Sequence, residues 1–179
     1  MAALKEFQIA YVGLSLGKHE FSYKINEKFF SCFNESEVKS GNVKCALLLE
    51  KKSDMLVLDF SIKGYVDLEC DLCLDDYPQD IIIDSKLIFK FGEFYLEQSD
   101  EIIVIPTTQA EINVAQYIYE FIHLALPAKR VHPGGLGDRM NCDKEVIKRL
   151  ENLSHSKSNK KKATQTDSRW EELKKLKFD

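Results

Sequence analysis

Apolar and polar positions alternate over much of the first two thirds of the chain. Phe7, Ile9, Tyr11 and Gly13 are separated by polar or small residues, and Phe21, Tyr23 and Ile25 repeat that spacing beyond the Gly17, Lys18 and His19 turn. Successive strand side chains point to opposite faces, so this pattern predicts a β-hairpin with one buried face. Asn26 has the side chain to cap a short helix carrying Phe29, Phe30 and Phe33. Val43, Cys45, Leu47 and Leu49 alternate again, Lys51 to Asp54 forms a charged turn, and Leu56, Leu58, Phe60 and Ile62 resume the alternation. The opposite face of this second strand turns polar at Asp59 and Ser61, which assigns the Leu56 set to the core. Gly64 permits a bend before Val66, Leu68 and Cys70. Beyond a turn at Asp75 to Pro78, Ile81, Ile83, Leu87 and Phe89 predict another strand, and Ile102 to Ile105 a short one stopped by Pro106.

The period then changes. Ala115, Ile118, Ile122 and Leu126 recur at helical spacing, with Phe121 and Ala125 beside them, and predict one long helix over residues 113–126 ended by Pro127. Asn113 and Gln116 have capping-box spacing, with Thr108 and Glu111 as a competing earlier start. A loop containing Pro133, Gly134, Gly135 and Gly137 precedes a second helix over residues 143–153. Residues 154–166 lack apolar periodicity and include Lys160, Lys161 and Lys162, the pattern of a flexible basic linker. Residues 167–179 predict a short amphipathic helix in which Trp170, Leu173 and Leu176 recur every three residues. The fold class expected is α+β: an antiparallel sheet packed by one long helix in a domain of residues 1–153, followed by a partly disordered helical arm.

Composition changes this picture mainly through charge. The net charge of −4 over 179 residues conceals a split: residues 1–126 carry −10, whereas residues 127–179 carry +6 and hold all four arginines. Basic arms meet phosphate backbones by releasing counterions, although a lysine-rich stretch is also an ordinary solvated tail. Lys129, Arg130, Lys160, Lys161, Lys162, Arg169, Trp170, Lys174 and Lys175 are the nucleic-acid-binding candidates. No apolar run approaches the roughly 20 residues needed to cross a bilayer. The start lacks the basic and apolar regions of a secretory leader, and a cytoplasmic location is the expectation. There the five cysteines would be thiols or metal ligands.

The sharpest chemical signal is Cys70 and Cys73, a C-x-x-C where a strand runs into a turn. Two thiolates at this spacing can reach one zinc ion, and His132 and Cys142 complete a tetrahedral set. The alternative is that all three cysteines are reduced thiols. A thioredoxin-like role fits poorly, because Cys70 ends a strand among Glu69, Asp71, Asp75 and Asp76, which disfavour a thiolate. Gly134 to Gly137 follows a helix and lacks the Lys of a phosphate loop, and no nucleophile elbow or His-Glu-x-x-His helix is present. No catalytic residues and no small-molecule substrate are expected.

Several segments together resemble the YceD family, the large ribosomal RNA subunit accumulation proteins. They are YVGLSLGKHEF (11–21), GYVDLECDLC (64–73) and EINVAQYIYEFIHLALP (111–127), followed by Val131, His132, Pro133 and Cys142, and DSRWEELKKL (167–176). Leu72 stands where many relatives carry Arg. The resemblance implies a cytoplasmic, non-enzymatic accessory factor needed for large-subunit ribosomal RNA. Its partner would be pre-ribosomal RNA or a ribosomal protein. The competing expectation is a protein-interaction adaptor with no RNA contact, stabilised by structural zinc.

Overall fold

The computed structural model describes residues 2–34, 36–132 and 142–153. The linker at 154–166 and the helix at 167–179 expected from sequence lie outside the described residues. So do Lys160, Lys161 and Lys162, together with Arg169, Trp170, Lys174 and Lys175.

Three long strands supply the frame: β3 (Gly41–Lys51), β4 (Met55–Glu69) and β5 (Asp76–Gly92). Their alternating apolar positions all face one side, where Val43, Cys45, Leu49, Leu56, Leu58 and Ile62 have no solvent exposure. Each fully buried aliphatic side chain of this kind contributes roughly 1.5–3 kcal/mol relative to an exposed one. The six-stranded sheet has the order β2-β3-β4-β5-β7-β6, with β2 at Gly17–Ile25, β6 at Leu96–Ser99 and β7 at Ile102–Pro106. The fold is α+β, as read from sequence. The sheet is antiparallel except for β5 and β7, which run parallel. The chain leaves β5, places β6 outermost and returns as β7 between the two. β7 covers only Ile88 to Gly92, so among the described residues the stretch 76–87 of β5 pairs on one side alone.

The hairpin expected at residues 7–25 does not form. Phe7, Ile9 and Tyr11 are buried as the alternation requires, but β1 is only Gln8–Ile9, flanked by short 3-10 helices at Ala2–Phe7 and Tyr11–Gly13. β1 pairs with β8 (Ile112–Asn113), and β2 pairs with β3. Alternation identifies the buried set, not the partner. The Val114 N–H donates to the Phe7 carbonyl at 3.0 Å and Asn113 Nδ2 to that of Leu4 at 3.2 Å. The Lys51 ammonium donates to the Tyr11 and Leu14 carbonyls, both at 2.8 Å, holding this segment over the end of β3.

The helices form close to where their caps place them. Asn26 accepts from the Lys28 N–H at 3.0 Å and starts α1 (Glu27–Phe30). Asn113 Oδ1 accepts from the Ala115 N–H at 2.9 Å, so α2 (Ala115–Leu124) starts two residues later than its capping side chain. Gln116 bonds forward to Glu120 at 2.8 Å, as a helix-face pair. Asp143 Oδ1 accepts from the Glu145 N–H at 2.7 Å ahead of α3 (Lys144–Leu153). An aromatic chain welds α1 and α2 to the N-terminal segment: Phe7 meets Tyr23 and Phe29 at 5.0 Å, Phe29 meets Phe33 at 5.1 Å, and Phe33 stacks on Tyr119 at 4.0 Å.

Gly41 and Gly64 allow β3 and β4 to cross closely. A Cβ on Gly64, whose φ is +154°, would lie 2.3 Å from the Asn42 carbonyl oxygen and 2.7 Å from Val43 Cα. Those neighbours are backbone atoms and cannot swing aside. The crossing therefore selects glycine.

Candidate metal centre

β4 ends at Glu69, and the chain reverses over residues 70–75 before β5 begins. Two backbone bonds shape this turn: Leu74 N–H donates to the Cys70 carbonyl at 2.9 Å, and Cys70 N–H to that of Asp75 at 3.0 Å. Leu74 sits at φ 66°, a left-handed conformation that ordinarily favours glycine. The turn directs Cys70 and Cys73 inward, and both are buried. Pro78, expected in the turn, instead lies on β5 opposite Asp67, where β5 has no second neighbour among the described residues and a missing N–H costs no ladder bond between them.

The segment after α2 returns to this turn through a reciprocal clasp. Asp71 N–H donates to the Arg130 carbonyl at 2.7 Å, and the Arg130 N–H donates to Asp71 Oδ2 at 2.9 Å. His132, two residues on, is thereby delivered to the thiols, and its ring packs against Tyr77 at 5.1 Å. Cys142 arrives from just ahead of α3, whose Ile147 is buried in the same core.

The four side chains singled out from sequence come together. The ligand atoms of Cys70, Cys73, His132 and Cys142 all lie within 4.8 Å of one another. Cys70 Sγ and Cys142 Sγ are 4.0 Å apart, and His132 Nδ1 is 3.6 Å from Cys73 Sγ and 3.5 Å from Cys142 Sγ. Zinc–sulfur bonds of about 2.3 Å in a tetrahedron put donors about 3.8 Å apart, so the spacing suits a single zinc ion. Three thiols and one imidazole are a structural zinc donor set, and a fully occupied tetrahedron leaves no open position for substrate. All five cysteines are free.

The electrostatics of the cluster point the same way. Burial opposes a Cys70 thiolate, but hydrogen bonds from the backbones of Cys73, Leu72 and His132 and from the His132 ring outweigh it and hold the thiol at about 6. Cys142 is pushed up to about 12, by burial first and then by Cys73 and Cys70 beside it. Ionising Cys142 beside its neighbouring thiols is thus opposed, and a divalent cation among them would reverse that penalty.

The basic candidates divide. Lys129 is exposed, whereas the Arg130 guanidinium is ion-paired with Glu37 while its backbone forms the clasp. Sequence reasoning missed that tie, because Glu37 is 93 residues away and nothing local announces it. It also missed Tyr77, whose alternation with Ile81 was the available signal. His123, expected on a polar helix edge, is half-buried, donates through Nδ1 to the Tyr119 carbonyl at 2.8 Å and packs on the Tyr119 ring. Among the described residues, no helix is long and apolar enough to cross a membrane.

A family model described as "Large ribosomal RNA subunit accumulation protein YceD" matches residues 58–177, a span that includes the whole Cys and His cluster. No curated protein and no solved structure matches the chain.

Proposed function

The chain belongs to the YceD family, and from that premise we propose that it is a non-catalytic cytoplasmic factor supporting large-subunit ribosomal RNA accumulation by binding pre-ribosomal RNA. Its basic C-terminal region makes phosphate contacts, and a structural zinc ion held by Cys70, Cys73, His132 and Cys142 fixes where that region leaves the body. The observation that carries this reading is the position of the cluster at the charge boundary. Cys142 joins the β4–β5 turn of the acidic part to the first helix of the basic part, on which Lys144, Lys148 and Arg149 are exposed. Zinc would supply a cross-link between distant parts of the chain, and the closed donor set supports a structural role over a chemical one.

Elemental analysis of the purified full chain tests the metal: about one zinc per chain is expected, with loss in Cys70→Ser, and zinc far below that level retires the proposal. Electrostatic RNA binding has its own signature. Affinity for single-stranded RNA should fall steeply with salt and drop sharply on removal of residues 154–179; full affinity in that truncation rules out the arm. Crosslinking in cells decides between RNA and a basic ribosomal protein on the acidic body, and protein alone in the crosslinked product would replace this reading with an adaptor.

A further inference from the structure

The strand registers align three lysines that lie far apart in sequence. Lys24 of β2 is paired directly with Lys44 of β3, and Lys44 directly with Lys63 of β4. All three are exposed, on the face opposite buried Tyr23, Cys45 and Ile62, because strand neighbours point to alternate sides. Strands about 4.8 Å apart confine the row to about 10 Å. Like charges directly opposite one another on neighbouring strands repel.

None of the three lysines has an ion pair among the described residues. The ion pairs present are Lys52 with Glu50, Lys86 with Asp59, and Arg130 with Glu37. The nearest carboxylates by register are Asp80 and Asp84, which flank Ile82, the partner of Lys63, and sit diagonally from it without an ion pair. The row on one side is Ser22, Ala46 and Ser61, whose small side chains leave the lysines unscreened. On the other side Tyr65, two residues from Lys63 on the same face, is 41% exposed.

We propose that this lysine ladder, with Tyr65 beside it, is a docking strip for the phosphate backbone of single-stranded RNA. A body carrying −10 over residues 1–126 nevertheless concentrates in one line three cations without an ion pair among the described residues, and a polyanion there relieves their repulsion. The open sheet face accepts an extended strand, and the Tyr65 ring offers a base a surface to stack on. The inference rests on the RNA-binding reading above and adds a contact on the folded body, separate from the C-terminal arm.

The test is a salt series of binding to a fluorescent single-stranded oligouridine, using the full chain, the K24Q/K44Q/K63Q variant and Tyr65→Ser. Each phosphate contact on a single strand contributes about 0.7 to the salt slope, so the triple variant should lose about 2 from the slope and on the order of 10- to 100-fold in affinity. Tyr65→Ser should weaken binding by at least about fivefold with the slope unchanged. The triple variant should melt no lower than the parent, since it removes repulsion; if it melts lower, Lys44→Gln alone, with a slope loss of about 0.7, tests the same contact. Unchanged affinity and slope in the variants, while the parent binds, overturn the ladder and leave the arm standing. No RNA binding by the parent chain overturns both. Loss of a poly-glutamate ligand by the triple variant with oligouridine binding retained identifies an acidic protein as the occupant and also overturns the inference.

Discussion

Two rows one residue apart in sequence behave as opposites in this sheet. Tyr23, Cys45, Ile62 and Ile83 cross β2 to β5 on the inner face, while Lys24, Lys44, Lys63 and Ile82 cross the same strands on the outer face. The inner row is buried except at its β5 end, and the outer row is exposed throughout. Identical backbone geometry thus serves cohesion on one side and presents charge on the other. The difference teaches that a register fixed by apolar burial can assemble a charged surface without any local sequence cluster to mark it.

The most severe way to break the comparison is to move a charge inward. Ile62→Asp should cost about 4 kcal/mol or more and leave little folded protein by circular dichroism, because a carboxylate would be buried without a partner. Gly64→Ala attacks the crossing that sets both rows, and its Cβ has only backbone to displace. A loss of about 1–3 kcal/mol in urea unfolding is expected, and an unchanged midpoint would show that β3 and β4 can separate there at no cost.

A gentler break comes from pH. Burial pushes the Cys45 thiol up to about 12 from 9.0, and burial with Cys45 nearby pushes Tyr23 up to about 12 from 10.0. Both groups are neutral in the fold and ionise more readily once unfolded, so their contribution is complete below about 9 and is lost as pH rises towards 12. Stability measured by urea should therefore decline between about pH 9 and 12, and Cys45→Ala should decline less. The smallest effect belongs to the outer row, where Lys44→Gln should raise stability by roughly 0.2–1 kcal/mol at low salt, with the gain vanishing as salt is added. A loss at Lys44 would mean that the row is neutralised within the free protein.

Much of this architecture is legible in the residues because its determinants are local. The Leu56, Leu58, Phe60 and Ile62 alternation fixes which face of β4 is buried, Asn26, Asn113 and Asp143 mark helix starts, and the spacing of Cys70 and Cys73 announces a turn that can offer two sulfurs. His132 and Cys142 could be named because few other donors follow the long helix. What escaped is set by pairing across distance. The segment at Phe7 to Gly13 has correct buried positions but finds β8 in place of β2, and the parallel placement of β7 depends on how β6 folds outward. The lysine row escaped for the same reason: each lysine is an ordinary solvent-facing residue of its own strand, and only the register makes them neighbours.

The flank of β5 that no described strand pairs bears on how the molecule behaves in a crowd of its own copies. A strand edge containing Ile81, Ile82 and Ile83 that is unpaired among the described residues is the geometry from which sheet-to-sheet polymerisation starts. Asp76, Asp80 and Asp84 set like charges along that edge, and Pro78 removes a donor from it. A second copy approaching edge to edge meets repulsion and a gap in the ladder before it can add its own strand. This strand therefore carries its own guard against fibre growth.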